Sequence, residues 1–375
     1  MAKGNKKWWY ILGLLVFIIY VFIAPRPIPE ETTLKPRWIS SLESDYPVSL
    51  GDPSEQEDEK LLPFILGDRF GYVGDDGKFA INQIRNGYIF LSENNWVQYE
   101  PLPSSIQVMN SRNEPYLHIE KPKGYPFFLD ERFFIVGREQ NFLTSLGPDG
   151  EELWTHDFPS PITCVDAGGG HVLVGTLDGA MVLLNSSGYP VFPPFEPGGS
   201  RLSVILGCAI SRDASQLAIV SGIEEQRFLL LEHTGGENRT MRPSAGEGDT
   251  YRVVYHEFLA KGFRRPVHVS FVDDDSKVVF EREGGLGIYT INSRNSMRIN
   301  LEGEIISLDN SGEEGFLFVI TSQGPKEKRF ITIRSSGNVV NVAPFKSDNA
   351  FFARRGRKLY IGGDATMASF DLENR

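Results

Sequence analysis

The side chains able to do chemistry are few and scattered. Six histidines occur, His118, His156, His171, His233, His256 and His268, with no pair spaced HxxxH and none beside a cysteine. A metal site would need ligands gathered from distant parts of the chain. Asp273, Asp274 and Asp275 form a run of carboxylates. It lacks the alternating Asp/Asn spacing, central Gly and distal Glu of a calcium loop, and a hairpin turn accounts for it. Nothing reads as GxSxG, a P-loop or HExxH. The residues therefore give no catalytic, cofactor-binding or metal-ligating set, and the expectation is a protein that is not an enzyme.

What must position any site is a repeated hairpin. Residues 171–190 read HVLVGTLDG then AMVLLNSSGYP: an apolar strand, a Gly turn, a second apolar strand and a Ser-Ser-Gly turn. The same pattern returns from Phe133, Leu217, Lys277, Phe316 and Lys358. Each pair follows a further strand, at residues 87–93, 125–131, 161–167, 204–213, 266–275, 304–310 and 349–355. Second strands begin near Trp96, Phe133, His171, Leu217, Lys277, Phe316 and Lys358, at spacings of 37, 38, 46, 60, 39 and 42. A period near forty with about four strands per unit describes an all-β fold, a β-propeller. Residues 61–84 are too short for a full unit and are available to complete the last one. Merging the two ends predicts seven four-stranded blades; counting 61–84 as a three-stranded blade gives eight, and seven is the expectation.

The turns at residues 210–220 (ISRDASQLAIV) and 271–281 (FVDDDSKVVFE) resemble those of WD-repeat and TolB-like blades. Residues 145–154 (SLGPDGEELW) are similar to the docking motif of PQQ-like, quinoprotein-dehydrogenase-like propellers, keeping Trp154. Residues 183–192 keep the turn with Phe192 at the tryptophan position, and 230–239 lose the aromatic. That resemblance covers residues 61–375 and implies a propeller fold. Enzymes of the class hold a calcium-bound quinone, often beside a disulfide of adjacent cysteines. Here Cys164 and Cys208 are the only cysteines and are not adjacent, so no cofactor is expected. Both fall on innermost strands of neighbouring blades, which splay around a channel, so a separation beyond the Cα–Cα limit of about 7 Å is expected.

The amino-terminal part reads differently. Residues 8–24, WWYILGLLVFIIYVFIA, carry no charge and as a helix would span about 26 Å. Lys3, Lys6 and Lys7 precede them and no acidic residue occurs before Glu30, which predicts an uncleaved signal anchor with residues 1–7 in the cytoplasm. The rival reading is a cleaved signal peptide. The expected setting is the inner membrane, single-pass, with the propeller in the periplasm. Residues 25–60, rich in Pro and acidic groups, read as a stalk reaching at most about 110 Å; residues 61–375 form the propeller.

The net charge is −11, which argues against a nucleic-acid partner. Two places break the pattern. Trp38 stands in the stalk, free to dock on the propeller or on a partner. The insertion at residues 237–265 ends in a basic, aromatic spot of Phe258, Lys261, Phe263, Arg264 and Arg265, a candidate contact site set against an ordinary outer strand with solvated charges. These features predict a scaffold binding protein partners of the membrane or envelope, resembling in domain type the PQQ-like propeller subunits of outer-membrane assembly machines. The alternative is a propeller enzyme or sugar-type small-ligand binder. It would need polar groups converging at the channel mouth from the ends of strands 161–167 and 266–272.

Overall fold

The computed structural model describes residues 10, 12–17, 32–43, 60–234, 251–260, 262–309 and 315–374. Their strands form eight antiparallel sheets, six of four strands and two of three. In chain order, blade 1 holds Leu62–Leu66, Arg69–Val73 and Phe79–Ile84. Blade 2 runs from Tyr88–Leu91 to Pro115–Glu120, and blade 3 from Gly124–Leu129 to Glu152–Asp157. Blade 4 holds Ile162–Gly168, His171–Thr176 and Met181–Leu184. Blade 5 runs from Ile205–Ile210 to Tyr251–Phe258, blade 6 from Val269–Val272 to Asn295–Asn300, and blade 7 from Glu304–Leu308 to Val339–Lys346. Blade 8 combines Ala350–Arg355, Lys358–Gly363 and Thr366–Asn374 with Thr32–Ser41.

The hairpins follow from turn chemistry. Asp130 and Glu131 both take positive φ, 49° and 58°, as do Gly169 and Gly170. Two left-handed residues in a row give the primed turns whose twist matches paired strands. Second strands such as Phe316–Ser322 and His171–Thr176 are buried almost throughout, because a neighbouring blade covers each face. Outer strands such as Val339–Lys346 are exposed. The core consequently lies between blades. Phe228 of blade 5 stacks on Phe280 of blade 6 with centroids 4.0 Å apart and planes 5° from parallel. First strands of neighbouring blades touch as well: 2 with 3, 4 with 5, 5 with 6, and 7 with 8.

Two expectations are corrected. The propeller has eight blades, not seven, because residues 61–84 do not complete the last blade. They form blade 1, and the closing strand is Thr32–Ser41, from the stretch read as stalk. It pairs antiparallel with Thr366–Asn374, Thr32 opposite Asn374 and Ser41 opposite Thr366, with a bulge between Pro36 and Trp38. A bulge suits a proline, which has no N–H to give the ladder. The second correction concerns the membrane. Among the described residues no helix is long and apolar enough to cross one; of residues 8–24 the described helical ones are 10 and 12–17. A single membrane-spanning anchor is not supported, and neither is the inner-membrane, periplasm-facing placement that rested on it.

Candidate functional site at the channel wall

The cavity that gathers the most chemistry lies where the first strands of blades 4, 5 and 6 end. It measures about 510 Å³ and is lined by Asp166, Cys208, Arg212, Ser270, Phe271, Asp274 and Asp275 among others. Each blade delivers its part at the turn from first to second strand. Blade 4 supplies Asp166, three residues before Gly169. Blade 5 supplies Arg212, just past Ile205–Ile210, and blade 6 the Asp run. The ends of strands 161–167 and 266–272 do converge, as the ligand-binding alternative requires.

The turn of blade 6 is built on three consecutive left-handed residues, Asp273, Asp274 and Asp275, with φ of 57°, 52° and 60°. Asp tolerates this conformation better than most residues. Lys277 clamps the turn through Asp273 at 2.6 Å, and the Ser276 hydroxyl donates to the Asp273 carbonyl at 2.6 Å. The other two carboxylates project toward blade 5. The Arg212 guanidinium donates to Asp274 at 2.8 Å, and the Arg212 main-chain N–H donates to Asp275 Oδ2 at 2.9 Å. The carboxylate run is a hairpin turn, as its sequence suggests, and it is neutralised in part by arginine.

Asp166 is different. Its Oδ2 accepts the Ile210 N–H at 2.9 Å, and among the described residues no Lys or Arg pairs with it. Burial pushes its carboxyl up to about 6, opposed by the N–H groups of Ile210 and Ala167 and reinforced by the Asp130 carboxylate. A half-buried carboxylate without a cationic partner among the described residues, lining a polar cavity, can accept a cation or a hydrogen-bond donor. Among the described residues no group of three His, Cys, Asp or Glu is arranged to hold a metal.

The residues singled out from the sequence are not brought together. The Trp38 indole N–H donates to the Asp75 carbonyl at 2.9 Å, and its ring lies 6.0 Å from that of Tyr360. It docks on the propeller itself. Phe258 ends the outer strand of blade 5, 53% exposed, with the Arg227 guanidinium 5.9 Å from its ring centre. Lys261 lies outside the described residues. Phe263 packs on the core between blades 5 and 6, its N–H bonded to Gln226 Oε1 at 3.1 Å. Arg265 sits over the Phe263 ring at 4.7 Å and pairs with Glu281 at 2.6 Å and Glu304 at 3.3 Å. It is thus an inter-blade tie rather than a free basic group. Among the described residues of this set, Phe258 and Arg264 are the exposed ones.

Sequence reasoning missed Asp166 and Arg212. Their strands were legible, and each lies at the polar end of an apolar run, but nothing in one strand shows which neighbours face it across the channel.

A family model described as beta-propeller protein matches residues 1–375. An uncharacterized protein of Treponema pallidum (strain Nichols) is 23% identical over 374 residues, 99% of this chain and 95% of the relative. Among solved structures, BamB from Moraxella catarrhalis superposes with a TM-score of 0.57 at 13% identity, over 90% of this chain and 100% of that one. Apo AztD from Citrobacter koseri gives 0.55 at 11% identity, over 81% and 88%. The dihydro-heme d1 dehydrogenase NirN gives 0.52 at 13%, over 72% and 58%. At these identities the likeness is one of fold. The WD-repeat resemblance of the turns finds no support in these comparisons.

Proposed function

We propose, on the premise that this chain belongs to the β-propeller family whose model spans it, that the protein is a non-enzymatic scaffold. Its docking point is the channel-wall cavity of blades 4 to 6. The observation that carries this reading is Asp166, a carboxylate with no Lys or Arg partner among the described residues, in the wall of a polar cavity of about 510 Å³. A protein partner would insert a lysine or arginine side chain there, pairing with Asp166 while Asp274 flanks the entrance. The net charge of −11 favours the approach of such a basic segment. An assembly complex of the cell envelope is the setting we favour, on a likeness to BamB that is of fold alone.

The test places a photo-crosslinking amino acid at Phe271, which lines the cavity, in the full-length protein. Irradiation in an extract of the native cells should yield a discrete protein adduct. The adduct should fade in high salt and in Asp166→Asn. Absence of any adduct, or one indifferent to Asp166→Asn, overturns the reading. The same cavity also favours a second reading, a small cationic ligand. That would show as calorimetric binding of a free amine or guanidine, lost in Asp166→Asn, with no protein adduct.

A further inference from the structure

The two cysteines stand on first strands of adjacent blades, Cys164 in Ile162–Gly168 and Cys208 in Ile205–Ile210. The two strands are neighbours in the structure. They pack directly on one another, and Cys164 packs against the buried apolar cluster that contains Cys208. The Cys164 sulfur lies against Gly175, the residue opposite it in the paired strand. A Cβ on Gly175 would lie 2.6 Å from Cys164 Sγ. The Cys208 sulfur approaches the Leu173 carbonyl at 3.9 Å, two residues before Gly175 on the same strand. Gly175 has no positive φ, so its backbone does not demand glycine. What the missing side chain provides is room for the Ile205 side chain of blade 5 and for the Cys164 sulfur, at 2.5 and 2.6 Å from where a Cβ would stand.

We propose that Cys164 and Cys208 are a site of disulfide formation, a covalent bond between blades 4 and 5, with a small disulfide such as oxidised glutathione as oxidant. Cys164 is half-buried and Cys208 buried, so Cys164 is the thiol that a soluble oxidant reaches. Its thiolate attacks one sulfur of glutathione disulfide; that S–S bond breaks and one glutathione leaves as a thiolate, which takes up a proton. The Cys208 thiolate then attacks the Cys164 sulfur of the mixed disulfide and expels the second glutathione. Two cysteine thiols lose two protons and two electrons, and one glutathione disulfide becomes two glutathione thiols. Burial pushes the Cys208 thiol up, so the second step is the slow one and accelerates with pH. Because Cys208 is also in the wall of the Asp166 cavity, the bond fixes that wall.

The test uses the full chain, unfolded and then refolded in a glutathione redox buffer, trapped by alkylation and mapped by mass spectrometry without reductant. The expected product is one peptide pair linked through Cys164 and Cys208, in a protein that melts higher than its reduced form. Cys208→Ser should stall as a glutathione adduct on Cys164. Refolding starts from an open chain, so burial cannot hide the thiols. Two alkylatable thiols, or glutathione adducts alone, in the refolded parent would overturn the proposal.

Discussion

Trp38 and Gly77 fit one another as lock and stop. A Cβ on Gly77 would lie 2.6 Å from the Trp38 ring, and Gly77 is held at a φ of 80°. The arrangement has a twin. The Trp154 N–H donates to the Ser186 carbonyl at 3.0 Å, and a Cβ on Gly188 would lie 2.6 Å from the Trp154 ring. In both places an outer-strand tryptophan docks on a glycine turn of the next blade. Trp38→Ala is expected to cost about 2–4 kcal/mol, through lost packing and an unpaired carbonyl. Trp38→Phe keeps the packing and should cost about 1 kcal/mol. Denaturant melts of the parent and both variants check the order.

Arg354 and Asp309 tie blade 8 to blade 7 at 3.0 Å, with side chains only 1% and 4% exposed. Arg354 also donates to the Phe316 carbonyl at 3.2 Å and lies over the Phe318 ring at 5.3 Å. Removing one partner strands the other charge in the core, so Arg354→Ala should cost about 3–5 kcal/mol. Replacing both, as Arg354→Met with Asp309→Leu, should recover most of that. Equal losses in the single and double variants, read from chemical unfolding, would refute this account.

Asp166 carries a pH signature of definite sign. Its carboxyl is raised to about 6 in the fold from an ordinary 3.8. The fold therefore favours the protonated form. That contribution is complete below about pH 4 and is lost as pH rises through about 6, with a total on the order of 2–3 kcal/mol. Asp166→Asn keeps an oxygen for the Ile210 N–H and removes the charge. It should melt higher than the parent at about pH 8 and match it near pH 4. A bound cation would favour the ionised carboxylate, so binding in the cavity should weaken below about pH 6.

The outer strand of blade 7 exposes Val339, Val340 and Val342 at 43%, 47% and 43%. Its free edge offers main-chain groups to any other strand, flanked by apolar side chains, which favours intermolecular pairing. Val340→Lys should lengthen the lag before aggregation under light scattering while shifting stability by less than about 0.5 kcal/mol.

The repeat itself was legible because middle strands are buried on both sides. Trp96, Phe133, His171, Leu217, Lys277, Phe316 and Lys358 all fall at or within one residue of the starts of second strands. Blade number was not, because the closing strand hides its character. In residues 32–41, TTLKPRWISS, the bulge after Pro36 breaks the alternation, and Lys35, Arg37 and Ile39 face outward. The one available clue was Trp38, whose role matches that of Trp154. At the basic spot of residues 258–265 the ion pairing was out of sight for a related reason. A run of charges does not show that Arg265 is already matched by Glu281, sixteen residues later in another strand. Asp166 escaped notice because its neighbours across the cavity come from separate blades.

The pairing of Thr32–Ser41 with Thr366–Asn374 also sets a timetable for biosynthesis. Strands inside one blade meet soon after they leave the ribosome. Thr32–Ser41 must wait for Thr366–Asn374, and until then the final sheet offers a bare edge and blade 1 lacks the indole that docks on it. Joining such distant segments makes ring closure intrinsically slow. That interval is when a nascent chain of this architecture most needs a chaperone.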